Sequence, residues 1–221
     1  MIYLVSNQQK LFDSPFYKMC SIKESKELLK DNKIIQFDTE TTGREPHLCK
    51  LLSMQFGSMD GNIQIVVDCS TVNPIDYKDF IESHTILGQN LKFDLQFLFN
   101  YGIIPTRIYD TMIIEQLLYL GYPSGQIYYS LKAIAERRLD INLDKTVRGE
   151  IIWRGLDDKV IEYAALTYWG RIISNYYLEK WMNCWEAKGV ILCQSAAKPR
   201  VHSGKVHRLP EQSSLLNNRS V

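Results

Sequence analysis

Ile34-Ile35-Gln36-Phe37-Asp38-Thr39-Glu40-Thr41-Thr42-Gly43 decides how the rest of this chain is read. A largely apolar run ends in two carboxylates at i and i+2, followed by small hydroxylated residues and a glycine. Residues two apart on a strand point to the same face, about 6.6 Å from each other. Asp38 and Glu40 therefore project side by side. Two readings stay open at this point. Either a hard cation sits against the two acids, since such ions take oxygen ligands, or the strand runs out into a polar turn with both acids solvated.

The chain has 221 residues, 45% of them hydrophobic and 23% charged, with a formal net charge of +1. That length suits one domain with a substantial core. The balanced charge restricts any nucleic-acid surface to a local patch. No run approaches the roughly 18 apolar residues of a membrane span, so no membrane partner is expected. The N-terminus lacks the basic start and apolar segment of a signal peptide. The five cysteines (Cys20, Cys49, Cys69, Cys184 and Cys193) show no CxxC or zinc-type spacing. They read as free thiols of a cytoplasmic protein. The histidines (His47, His84, His202 and His207) form no metal constellation and are expected at the surface or in loops. No glycine-rich phosphate loop is present.

Outward from the opening stretch, Met1 to Val5 and Tyr17 to Ser21 read as strands. Ile22 to Asn32 reads as a helix capped by Ser21. Ile34 to Asp38 begins the main sheet. Lys50 to Ser58 and Asn62 to Asp68 continue it, separated by Met59-Asp60-Gly61, where Asp-Gly marks a hairpin turn. The expectation is three antiparallel strands in succession. The pattern then turns helical: Pro74 to Ser83, a short strand Thr85 to Gly88, a helix Leu91 to Tyr101 stopped by Gly102, and a strand Thr106 to Tyr109. Asp110 opens a further helix, Ser130 caps another to about Arg138, and Asp157 or Asp158 starts a long one reaching about Trp181. Strands followed by helices and short strands predict an α/β or α+β domain on a mixed sheet, α/β being the class expected here. The domain is expected over residues 1–183, with 184–221 an irregular tail.

Two further places carry chemistry. Asp94, in Asn90-Leu91-Lys92-Phe93-Asp94-Leu95-Gln96-Phe97-Leu98, shares a helical stripe with Leu91 and Leu98. A carboxylate there is costly to bury unless paired or bound to a metal; the other reading is stabilisation at a helix N-terminus. On the long helix, Ala164 belongs to an apolar face, and Tyr163 lies with Thr167 on the adjacent one. Tyr163 read alone is a partly buried core residue.

Together, Phe37-Asp38-Thr39-Glu40-Thr41-Thr42-Gly43, Asn90-x-x-Phe93-Asp94-x-x-Phe97-Leu98 and Tyr163-Ala164-Ala165 resemble the three motifs of the DEDD superfamily of 3′–5′ exonucleases. Within it the chain is most similar to the proofreading domain of family A (polymerase I-like) DNA polymerases, phage ones in particular. Tyr109-Asp110-Thr111-Met112, Ser130 to Ala135 and Leu143-Asp144-Lys145-Thr146 resemble connecting segments of that family in the same order. The resemblance covers about residues 30–180. It implies a ribonuclease H-like fold, a central mixed sheet flanked by helices, and two divalent cations, Mg²⁺ or Mn²⁺. By the same resemblance Asp38 bridges both ions, Glu40 holds the nucleophile-side one, and Asp94 serves the other through water. Tyr163 orients the attacking water, placing the chain in the tyrosine branch. Thr41 and Thr42 touch the terminal nucleotide, and Asn90 supports the site by hydrogen bonding. The implied substrate is single-stranded DNA or a DNA 3′ end, with RNA trimming of the ribonuclease D kind as an alternative. The implied partner is a polymerase domain or subunit.

One position departs from the pattern. The third motif is Tyr-x-x-x-Asp, and counting from Tyr163 the aspartate position is Thr167. A hydroxyl is neutral and a weak ligand for a hard cation, so cation affinity and turnover are expected to fall. A catalytically weak module that binds single-stranded ends is the competing expectation. A truncated or frame-disrupted polymerase accounts for both the missing aspartate and the unpatterned tail; so does a small protein with a divergent end.

Overall fold

The computed structural model describes residues 1–8, 14–121, 127–142 and 155–165. Its centre is a seven-stranded mixed sheet: β1 (Ile2–Val5), β2 (Tyr17–Met19), β3 (Ile34–Thr41), β4 (Leu51–Gly57), β5 (Gln64–Asp68), β6 (Thr85–Gly88) and β7 (Ile108–Asp110), in the spatial order β2-β1-β5-β4-β3-β6-β7. β4 pairs antiparallel with both β3 and β5, the three strands in succession that the sequence predicts. β1 joins β5 and β2 in parallel, and β6 and β7 extend the other side in parallel from β3. The described helices are α1 (Ile22–Leu29), α2 (Lys78–Ser83, entered through a 3-10 turn at Pro74–Tyr77), α3 (Leu91–Phe99), α4 (Thr111–Leu118), α5 (Leu131–Leu139) and α6 (Asp158–Ala165).

Local chemistry explains most boundaries. Ser21 and Glu24 form a reciprocal capping box that starts α1. Gly61, at φ +75°, makes the β4–β5 turn, where Asp60 accepts from the Asn62 amide. One boundary shifts, and one side chain is buried where a loop residue was expected. β3 continues past Asp38 to Thr41, because Asp38 and Glu40 stay in register with Gln55 and Ser53 of β4, and the pairing slips only between Glu40 and Thr41. His84, expected at the surface or in a loop, lies in the link between α2 and β6 but is buried there; its ring packs on Phe80 and its Nδ1 lies 2.6 Å from the Phe80 carbonyl oxygen. The expected continuation of the last helix to Trp181, the segment Leu143 to Thr146, Thr167 and the 184–221 tail all lie outside the described residues.

The alternation of β3 divides the core in two. Ile35 and Phe37 point to the face covered by α1, α2 and α3, where they pack with Phe56, Tyr77, Phe80, Leu91 and Phe97. Phe37 and Phe56 lie 5.4 Å apart between centroids, and Phe56 stacks on Tyr77 at 5.2 Å. Burying each such side chain stabilises the fold by about 1.5–3 kcal/mol. The opposite face is covered at one end by α6, whose Ile161, Ala164 and Ala165 pack on Leu4, Tyr17 and Val66. At the other end α4 and α5 pack over Leu87 and Ile34. Gly88 ends β6 at a close approach: a Cβ there would come within 2.7 Å of the Phe37 carbonyl oxygen. This lets α3, which follows directly, lie tight against β3.

Candidate active site

Asp38 and Glu40 sit on β3 opposite Gln55 and Ser53 of β4, on the sheet face that α6 covers. Both are half-buried, while Phe37 and Thr39 between and beside them are buried on the other face. The i and i+2 spacing thus does what the sequence implies: it presents two carboxylates side by side from one strand.

Asp94 arrives from the other side. α3 packs on the Phe37 face and carries Asp94 in its first turn, 3% exposed, beside the carboxyl-terminal half of β3. The Thr39 hydroxyl donates to Asp94 Oδ1 at 2.6 Å. Burial holds the Asp94 carboxyl well above the usual carboxylate range. The negative charge of Asp38 raises it further, the Thr39 hydrogen bond partly offsets both, and Glu40 adds a smaller push upward. The place of Asp94 in the first turn of α3 matches the helix-start reading, while its carboxyl is raised rather than lowered. There it senses the two acids of β3.

The start of α3 is unusual. Asn90 adopts a left-handed conformation, φ 56° and ψ 41°, and its side chain caps nothing. The cap is supplied by Asp110, at the end of β7: its carboxylate accepts from the amides of Asn90 at 2.9 Å and Leu91 at 2.8 Å. The same carboxylate also accepts from Met112 at 2.9 Å and so starts α4. One buried side chain fixes two helices and through α3 the position of Asp94. The sequence marks Asp110 as a helix start but gives no sign of its second task.

Tyr163 is half-buried on α6. The N-terminus of that helix is tied to the sheet edge, where Tyr17 donates its hydroxyl to Asp158 Oδ1 at 3.0 Å and Ser14 donates to Oδ2 at 3.4 Å. Ala164 and Ala165, both 4% exposed, let the helix settle on Leu4 and Val66. Thr41 is half-buried and donates to the Gly43 carbonyl at 2.6 Å. Thr42 is exposed, and its hydroxyl accepts from the Lys50 amide at 2.9 Å, closing the β3–β4 loop. Asn90 is exposed at the opening of α3.

The donor set of Asp38, Glu40 and Asp94 is all carboxylate oxygen, the ligand type of Mg²⁺ and Mn²⁺. A buried carboxyl whose ionisation is opposed by two neighbouring anions gains from a divalent cation what it cannot gain from water. The residues fit the group. Among the described residues, no three His, Cys, Asp or Glu side chains are gathered into a closed ligand set; Asp94 is turned to Thr39 and meets the other two acids through their field.

Residues 18–167 match the 3′–5′ exonuclease domain of DNA polymerase A type. This chain belongs to the 3′–5′ exonuclease family. The family is one of metal-dependent phosphodiester hydrolases, with a ribonuclease H-like fold, as the sequence resemblance implied. Over 147 residues, 65% of this chain, the exonuclease domain is 33% identical to DNA polymerase I of Aquifex aeolicus. The match spans 23% of that polymerase's length. The fold is shared with Brucella melitensis NrnC, at a TM-score of 0.59 and 23% identity over 80% of this chain and 82% of that one. It is also shared with Escherichia coli RNase D, at 0.59 and 22% identity over 74% and 44%. A third structure, Trypanosoma brucei RNase D in complex with RNA U12, gives 0.62 at 18% identity over 79% and 62%.

Proposed function

We propose that this exonuclease domain removes nucleotides from the 3′ end of a DNA strand with the help of two divalent cations, Mg²⁺ or Mn²⁺. The observation that carries the reading is Asp94, buried against β3 and facing the field of Asp38, so that burial first and that neighbouring charge second push its carboxyl well above the usual carboxylate range. Asp38 would serve both cations, Glu40 the one on the side of the attacking water, and Asp94 the other. When bound, such a pair supplies a water of lowered pKa and neutralises charge on the phosphate. The chain's own residues do the rest. Tyr163 presents a hydroxyl that orients the attacking water. Thr41, at the end of β3, and Thr42, just after it, meet the terminal nucleotide, and Asn90 borders it at the start of α3. Preference for DNA over RNA rests on the 33% identity to a DNA polymerase, which also makes a polymerase domain or subunit the natural partner. A cytoplasmic setting agrees with free thiols at Cys20, Cys49 and Cys69. Burial pushes Cys69 up to about 12 and Cys20 up to about 11, so neither is primed to react.

A second reading is a weakened enzyme that binds single-stranded ends, and Thr167 favours it, because the family places a carboxylate there. One assay separates the readings. Labelled single-stranded DNA and RNA of matched sequence are incubated with the protein and Mg²⁺ or Mn²⁺, beside Asp38→Ala and Thr167→Asp. Shortening of DNA that Asp38→Ala abolishes supports the first reading. A shifted but intact strand supports the second. Thr167→Asp is expected to raise turnover at least tenfold; equal activity in both forms refutes the assigned cation geometry. Faster shortening of RNA refutes the DNA preference.

A further inference from the structure

Gln55 faces Asp38 across the β3–β4 pair, in direct register, on the same face of the sheet. It is 2% exposed. Its Nε2 donates to Ser53 Oγ at 2.6 Å, which fixes the orientation of the amide. Its other end is anomalous: Oε1 is the one buried side-chain oxygen or nitrogen among the described residues with no hydrogen-bond partner. A buried amide oxygen left unsatisfied costs about 1–3 kcal/mol. Hydrophobic residues of similar size stand beside it on the same face, Val66 of β5 being its other cross-strand neighbour. An apolar side chain would fill this position at no such cost, yet the position holds an amide next to the acid assigned to both cations.

We propose that Gln55 is a positioning residue whose Oε1 accepts a hydrogen bond from the hydration shell of a divalent cation held by Asp38. The inference rests on the cation-site reading above. Mg²⁺ and Mn²⁺ sites built on few carboxylates keep several waters. Waters on a cation are strong donors and need acceptors that are not themselves charged ligands. Directly opposed residues on an antiparallel pair have Cβ atoms about 4.5–5.5 Å apart, a span that one water bridges from a carboxylate-held ion to the neighbouring amide. Ser53, opposite Glu40, holds Gln55 in place and is fully buried. The sheet thus backs each of its two acids with a polar neighbour, one fixed and one with an oxygen to spare. Outer partners of this kind are worth about 10–100-fold in metal affinity.

The test uses the full chain and Mn²⁺ alone, with calorimetric or electron-paramagnetic titration as the readout and no substrate. Gln55→Met keeps the volume and removes the acceptor. It is expected to weaken Mn²⁺ binding about tenfold, while its melting temperature in EDTA stays at or above that of the wild type. Gln55→Asn, which withdraws the oxygen by one methylene, is the second variant and is expected to weaken binding as well. It decides the matter should Gln55→Met fail to fold. Unchanged Mn²⁺ affinity in the folded variants overturns the inference and leaves Gln55 a structural partner of Ser53. Asp38→Ala is run alongside. If it binds Mn²⁺ as the wild type does, the cation-site reading fails; if it loses binding while the Gln55 variants keep it, only the role of Gln55 fails.

Discussion

Asp110→Ala removes both oxygens that hold the start of α3 and, with them, the cap of α4. The three amides left behind differ in environment. The Leu91 amide is buried, while those of Asn90 and Met112 are partly buried and can turn to water. A buried donor without a partner costs about 1–3 kcal/mol, and lost caps at accessible amides cost about 0.5–1 kcal/mol each, giving about 3 kcal/mol in total. Asp110→Asn is gentler. Its remaining oxygen can keep the Asn90 and Met112 amides, but the new NH₂ group faces the Leu91 N–H, so the cost falls to about 1–2 kcal/mol. Domains of this kind are stable by about 5–15 kcal/mol, so the alanine variant loses a large share. Urea unfolding in EDTA, followed by far-ultraviolet circular dichroism, reads both values from the shift in midpoint. Native-state hydrogen exchange should show faster exchange at Leu91 and Phe93, at the first turn of α3. Wild-type midpoints for both variants would refute the claim that one carboxylate organises this end of the sheet. A larger loss in the asparagine than in the alanine variant would refute the assignment of oxygens.

Two other perturbations test the charge balance of the fold. Asp94 has a folded-state pKa above the ordinary carboxylate value, so metal-free stability is greatest below that ordinary value and declines as pH rises through the raised one. Asp94→Asn should therefore raise the melting temperature in EDTA at neutral pH, flatten its decline with pH, and remove the stabilisation that Mn²⁺ gives the wild type; a lower metal-free melting temperature would contradict the assigned cause. Glu115 is fully buried on α4 and accepts from Arg137 at 2.9 Å and Arg138 at 2.8 Å on α5. Glu115→Ala should cost about 3 kcal/mol, the lower end for a broken buried pair because both arginines keep some contact with water. Arg137→Ala, the more solvent-exposed partner, should cost less in the same urea titration, and the reverse order would place the energetic weight of this cluster elsewhere.

The legible part of this chain is what repeats along it. The alternation of Ile35, Phe37 and Thr39 against Asp38 and Glu40 gives the strand and its two faces. The Asp60-Gly61 turn gives the hairpin, and Ser21 and Ser130 give the helix starts. The boundary of β3 was legible only as far as Asp38, because nothing local says that two acids and a threonine will keep pairing with a buried neighbour. The burial of His84 within its link was not legible for a related reason: it comes from Phe80, one helical turn earlier, and from the strand that follows.

By itself the sequence determined that Asp38 and Glu40 stand on one face, that Asp94 opens a helix, and that Tyr163 rides a helix with small apolar residues beside it. Spacing within one element fixes direction, and these are statements about single elements. Only the tertiary structure decided that Asp94 comes in over the opposite face of the sheet, held by Thr39, and still feels the charge of Asp38. It alone assigned Asp110 to two helices and set Gln55, with its unpartnered oxygen, in register with Asp38. Those relations depend on strand register and on how closely Gly88 lets α3 approach β3. Both are set by the packing of several elements at once, which no single stretch of the chain encodes.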